Sequence, residues 1–207
     1  MIVWSDIEID ALCEFLNIGM GSAAASLSSM LGQEILLSVP EIRFVSQDEL
    51  RRWFRDEIGK EIVGVQQAFN GKAAGNIALL FTKDNSHDLV RELMSGDIPL
   101  EDLPDIQNDA ITEIGNIVLN ACMAAIADSL HLEIPTELPR LVNDISIDLN
   151  TGKAARDDEI FGMLGQIKFD LKDRGIKGYV VLHMSTPSAM RMKQEIQKML
   201  SIYAATG

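Results

Sequence analysis

The chain has 207 residues, 47% hydrophobic and 24% charged, enough to bury a full core as one domain or as two half-domains that share one. Its net charge of −13 argues against a nucleic-acid binder, which needs a basic face to displace counterions, and against binding to an anionic membrane surface. The same charge permits a basic patch on a protein partner. The two cysteines, Cys13 and Cys122, read as buried reduced thiols of a cytoplasmic protein rather than a disulfide. The N-terminus has neither the basic nor the apolar segment of a signal peptide. No apolar run is expected to reach the roughly 20 residues that span a bilayer.

In chain order, Ser5-Asp6-Ile7-Glu8 has the spacing of a capping box and starts a helix that should stop at Gly32. Inside it, Gly19-Met20-Gly21 lacks the preceding strand that a phosphate-binding loop requires, so these small residues read as close helix packing. Glu34 to Val45 predicts a strand interrupted at Pro40, and Gln47 to Arg55 an exposed helix with Trp53 and Phe54 folded back on the core. Glu61 to Phe69 and Ala73 to Thr82 form a hairpin around Asn70-Gly71. A helix over Asp84 to Met94 and a linker over Gly96 to Pro104 follow.

The second half replays the first. It predicts a long helix from Asp105 to Leu130, a strand from Leu138 to Ile147 and a polar loop from Asn150 to Asp158. A hairpin of Glu159 to Phe169 with Lys177 to Met184 then turns at Asp173-Arg174-Gly175. The last helix is capped by Thr186, opened by Pro187 and ends near Tyr203. The fold class is α/β, of the α+β kind. A single domain is built from two pseudo-symmetric helix-strand-connector-hairpin-helix halves, about 5–96 and 104–204, that share a mainly antiparallel sheet. Neither half is expected to fold well alone.

One stretch organises both halves. Asp10, Glu14 and Asn17 recur as Asp109, Glu113 and Asn116, and in each copy twenty-two residues separate the Asn from a proline, Pro40 or Pro139. At 100° per residue each trio falls within roughly 60° of a helix face. Opposite it lie Ala11, Leu12, Phe15, Leu16, Ile18 and Ala23 in the first helix. In the second lie Ala110, Ile111, Ile114, Ile117, Val118, Ala121 and Cys122. Polar residues on one helix face ordinarily only solvate it; an acid and an amide repeated at one spacing ask for more.

His87, His131 and His183 do not pair with other ligands at zinc spacing, and neither cysteine has an activating base nearby in sequence. The two carboxylates on each helix could resemble an acid/base pair, or the ligands of a metal-dependent hydrolase. An open helix face, however, gives no reason for the raised pKa a general acid needs. What remains is an amide beside a carboxylate. An Asn is a poor acid, base or nucleophile, but its carbonyl accepts and its amide donates, so it can hold a water. That is useful where electrophile and metal come from another protein, as with the water-positioning Gln of GTPases. The Glu one turn back can anchor to a cation on that partner.

The pattern Asp-x3-Glu-x2-Asn-x22-Pro, with Asn17-Ile18-Gly19-Met20-Gly21 and Glu113-Ile114-Gly115-Asn116-Ile117 around it, resembles that of the CheC/CheX/FliY phosphatases of chemotaxis. Length and two-half layout match the CheC type. The resemblance implies hydrolysis of the aspartyl phosphate on a CheY-like response regulator. Asn17 and Asn116 would orient water, and Glu14 and Glu113 would pair with a regulator lysine. Asp10, Asp109, Pro40 and Pro139 are motif positions without an assigned step, the prolines read as structural. It implies no cofactor of the chain's own, Mg²⁺ being the regulator's; charge and hydropathy lead us to expect neither a nucleic-acid partner nor membrane insertion. CheC proteins are often partnered by the deamidase CheD through a helix after the second proline; here Val142 to Asp158, with Asn150-Thr151-Gly152-Lys153, reads as strand then loop and departs from that pattern. The alternative is a non-catalytic adaptor that docks a response regulator, CheD or a flagellar-switch component.

Overall fold

The computed structural model describes residues 2–58, 61–94, 103–143, 160–171 and 174–206. Helix α1 (Asp6–Leu31) begins at Ser5, whose backbone N–H donates to the Glu8 carboxylate at 2.8 Å, and ends at Gly32 in the left-handed conformation (φ 66°). That φ is open to glycine at little cost, so the chain can turn back sharply into the sheet. The expected strand over residues 34–45 is two strands, β1 (Ile35–Ser38) and β2 (Ile42–Ser46), split around Pro40. Helix α2 (Gln47–Trp53) runs into a π-helical turn, Phe54–Ile58. Strands β3 (Ile62–Phe69) and β4 (Gly75–Thr82) form the first hairpin, and α3 (Lys83–Met94) follows.

Helix α4 (Leu103–Leu130) starts two residues before the expected position and takes Pro104 into its first turn, where a missing N–H costs nothing. Strand β5 (Arg140–Asn143) occupies the start of the expected strand; the rest of it, the polar loop and most of the segment weighed for CheD lie outside the described residues. In the second hairpin, β6 (Ile160–Leu171) and β7 (Arg174–Ser185) are each longer than predicted. Pairing runs unbroken from Ile160↔Ser185 to Leu171↔Arg174, so Arg174 and Gly175 belong to the strand rather than the turn. Helix α5 (Thr186–Thr206) closes the chain.

Among the described residues, strands β1 to β7 form one antiparallel sheet in the order β1-β6-β7-β4-β3-β5, with β2 lying beside β6 in line with β1. The two hairpins meet at the β4–β7 seam, from Gly75↔Met184 to Leu80↔Tyr179. The outer strands are exchanged: β1 and β2 of the first half edge the second hairpin, and β5 of the second half edges the first. Each half therefore completes the other's sheet.

The central strand β4 is buried on both faces, Ile77 through Phe81 being at most 0% exposed. Ile77, Leu79 and Phe81 join the large core under α1, α4 and the other long helices, with Leu12, Leu16, Met20, Ile114 and Val118. Ala78 and Leu80 face the opposite side, where Leu50 and Phe54 cover them and half-buried Trp53 packs on Tyr179 at 4.8 Å. The period of two thus serves two cores at once. Helices α1 and α4 pack directly on each other. A Cβ on Gly19 would lie 2.7 Å from the Cys122 Cα, so the glycine permits the approach. By length and mean hydropathy (1.5), Ile106–Leu130 could cross a membrane, contrary to the expectation from the sequence, because the small and apolar residues it needs for packing on α1 raise its mean; half of that stretch is buried inside the protein.

Candidate functional site: two acid and amide pairs on packed helices

Each long helix buries one face and exposes its motif. Asp10 and Glu14 on α1, and Asp109 and Glu113 on α4, are exposed, while Asn17 and Asn116 are half-buried. Among the described residues neither Glu14 nor Glu113 makes a hydrogen bond or an ion pair, so both carboxylates are presented to solvent. Ile18 is not part of the buried face assigned to it: it is 52% exposed. It follows Glu14 by four positions, so it shares that residue's stripe rather than the core's.

The two amides are held differently. Asn17 is clasped to the backbone of Val39: its Nδ2 donates to the Val39 carbonyl at 2.9 Å, and its Oδ1 accepts from the Val39 N–H at 2.9 Å. A further donation from Nδ2 reaches the Cys13 carbonyl at 3.0 Å, and the Cys13 thiol donates to the same Val39 carbonyl at 3.3 Å. Val39 is completely buried and precedes Pro40, which favours extended backbone at the residue before it. This gives the interval in the first motif a physical cause. The proline sets the strand break, and the amide satisfies the two backbone groups that the break leaves without a sheet partner.

The second copy lacks this clasp. Leu138, the residue before Pro139, is 86% exposed, and Pro139 itself is half-buried. Asn116 instead accepts at Oδ1 from Asn120 Nδ2 at 2.8 Å. Asn120 accepts in turn from Gln67 Nε2 at 2.9 Å, and Gln67 Nε2 also donates to the Glu137 carbonyl at 2.8 Å. Among the described residues the Asn116 Nδ2 has no partner. Asn120 was legible as the next member of the Asp109, Glu113, Asn116 stripe, one turn further on; the first copy has Gly21 there. Gln67 and Val39 carried no sequence signal, because they enter through tertiary contacts alone.

The cysteines are free thiols. Burial pushes Cys122 up to about 12. Burial also raises Cys13, with the Asp10 and Glu14 carboxylates adding to the effect and the Asn17 amide opposing it. Both are held as neutral thiols, which are poor nucleophiles.

The fold and its paired helices define an internally duplicated α+β protein with two like but unequally held acid–amide sites. The CheC-like family model matches residues 7–43, the stretch containing Asp10, Glu14, Asn17 and Pro40. The CheY-P phosphatase CheC of Bacillus subtilis (strain 168) is 28% identical over 148 residues, covering 69% of this chain and 67% of that protein. The flagellar motor switch phosphatase FliY of the same organism is 26% identical over 172 residues, covering 81% of this chain but 43% of its own length. Among solved structures, that of Thermotoga maritima FliY superposes with a TM-score of 0.74 at 22% identity, covering 96% of this chain and all of the other. Over residues 7–43 the chain is thus similar to the CheC-like family, and across its length it shares the fold of the FliY structure.

Proposed function

We propose that this chain is a phosphatase that hydrolyses the aspartyl phosphate of a CheY-like response regulator in the cytoplasm. The observation that carries the reading is the exposed carboxylate one turn before a carboxamide, on each of two core helices, in a chain similar to two phosphatases named for this chemistry or for the flagellar switch. The helices are rigid because their other faces are buried, so a partner meets a preformed pair.

In this reading Glu113, and Glu14 at the first site, pairs with a lysine beside the regulator's phosphoaspartate. The neighbouring carboxamide holds a water in line with the phosphorus. Water attacks phosphorus, the bond from phosphorus to the aspartyl oxygen breaks, and the carboxylate leaves with the electron pair. Products are inorganic phosphate and the free regulator. The divalent metal that offsets charge on the phosphoryl oxygens belongs to the regulator, and the chain supplies no cofactor. Aiming a water contributes a few kcal/mol at most, about a hundredfold in rate, which suffices for an already labile acyl phosphate. Asn116 carries the larger share. Its Nδ2 is open to solvent and its Oδ1 keeps a second lone pair, whereas Asn17 has committed both atoms to Val39.

The test is turnover. A CheY-like regulator phosphorylated by a small-molecule donor is mixed with a tenth as much of this chain, and phosphate release is followed. Release beyond one equivalent per chain, faster than from the regulator alone, supports the reading. Tight binding without acceleration favours an adaptor that docks a regulator or a switch component.

A further inference from the structure

We propose that Asn120, oriented by Gln67, is a positioning residue that fixes which end of the Asn116 carboxamide faces an incoming phosphorylated partner. The proposal rests on the phosphatase reading above and refines its second site. The direction of the relay is set by one backbone atom. The Glu137 carbonyl can only accept, so the Gln67 atom 2.8 Å from it is the amide nitrogen. That nitrogen's other hydrogen points at Asn120 at 2.9 Å, so the atom it meets there is the oxygen. The remaining end of Asn120 is then a donor, and Asn116 presents Oδ1 to it at 2.8 Å and turns Nδ2 away. Three amides are thus ordered in sequence from a carbonyl in the loop beside Leu138.

Gln67 supports the same conclusion by what it forgoes. Both of its N–H groups are spent on the relay, while its Oε1 is buried without a partner among the described residues. A side chain free to turn would point that oxygen at a protein donor. Its orientation is imposed by Glu137 and Asn120. The first site has no equivalent, since Gly21 stands where Asn120 does and Asn17 is fixed by Val39 instead. The sites therefore present their amides by different devices.

The experiment uses the full chain in a Glu14→Ala background, which removes the first site's exposed acid. Asn120→Asp keeps size and can still accept from Gln67, but it cannot donate to Asn116. It should lower kcat about tenfold, the worth of one hydrogen bond in the transition state, with KM unchanged. Asn120→Ala, which leaves Asn116 unoriented but not reversed, should fall between. In a nitrogen-15 spectrum the Asn116 side-chain NH₂ pair should shift in Asn120→Asp and also in Gln67→Met. If kcat is unchanged in Asn120→Asp while Asn116→Ala abolishes activity, the relay is overturned and the phosphatase reading stands. If every variant and the unmodified chain are inactive, the phosphatase reading fails, and the side-chain signals alone decide the relay: a shift supports it and its absence overturns it.

Discussion

Asn17 satisfies both backbone groups of Val39, donating to its carbonyl and accepting from its N–H at 2.9 Å each, across a gap of twenty-two residues. The amide at the first site is therefore a structural brace as well as a candidate for chemistry. Asn17→Ala leaves a buried N–H and a buried carbonyl with one fewer partner each, and should cost about 1–3 kcal/mol. Asn116→Ala, at a half-buried side chain whose bond is to another side chain, should cost less than about 1 kcal/mol. Urea denaturation of the two single variants measures the difference.

The two glycines of Gly19-Met20-Gly21 should answer oppositely to the same substitution. Gly19→Ala forces a methyl into the Cys122 backbone 2.7 Å away and should destabilise by about 1–3 kcal/mol. Gly21→Ala meets nothing within 4 Å and should stabilise by about 0.5–1 kcal/mol through helix propensity. Thermal melts of the pair separate packing from backbone freedom.

Glu8 ties the start of α1 to α5. It is 3% exposed, ion-paired with Lys193 at 3.1 Å and hydrogen-bonded by Gln197 at 2.7 Å. Burial pushes its pKa up, but the Ser5 N–H, Lys193 and Gln197 together outweigh that and hold it below its ordinary 4.5. A folded value below the unfolded one means that the stabilisation is fully present above about 4.5 and is lost as pH falls through the lowered folded value. Glu8→Gln should thus lose about 1–3 kcal/mol at neutral pH, and its deficit against the parent should close in acid. Denaturation at pH 7 and at pH 3 checks the sign.

Thiol labelling reads the two helices separately. Cys122, pushed up to about 12 by burial, should react with an alkylating agent only as fast as the whole protein unfolds. Cys13, half-buried and donating to the Val39 carbonyl, should label more slowly than a free thiol but faster than Cys122. Asn17→Ala should speed Cys13 labelling, because it opens the same clasp.

Much of this was legible in the residues, for reasons particular to each. Ser5 and Glu8 marked the start of α1, Gly32 its end, and Asn70-Gly71 the first hairpin, because capping and turns are local chemistry. The repeat announced two halves, yet the exchange of β1, β2 and β5 between them was invisible, since antiparallel alternation does not name a partner strand. Ile18 misled because hydrophobicity alone does not say which side of a stripe boundary a residue takes. At the site, helical spacing brought out the acid and the amide. It could not reveal that Val39 holds one amide and Asn120 the other, because those bonds join positions far apart in the chain or extend past the motif.

The most direct measurement is phosphate release from a phosphorylated CheY-like regulator with the Asn17→Ala/Asn116→Ala double variant, at a urea concentration where both it and the parent remain folded. The account predicts that the parent accelerates release and that the double variant returns it to the regulator's own rate, with Asn116→Ala accounting for most of the loss. Acceleration by the double variant equal to that of the parent would contradict it.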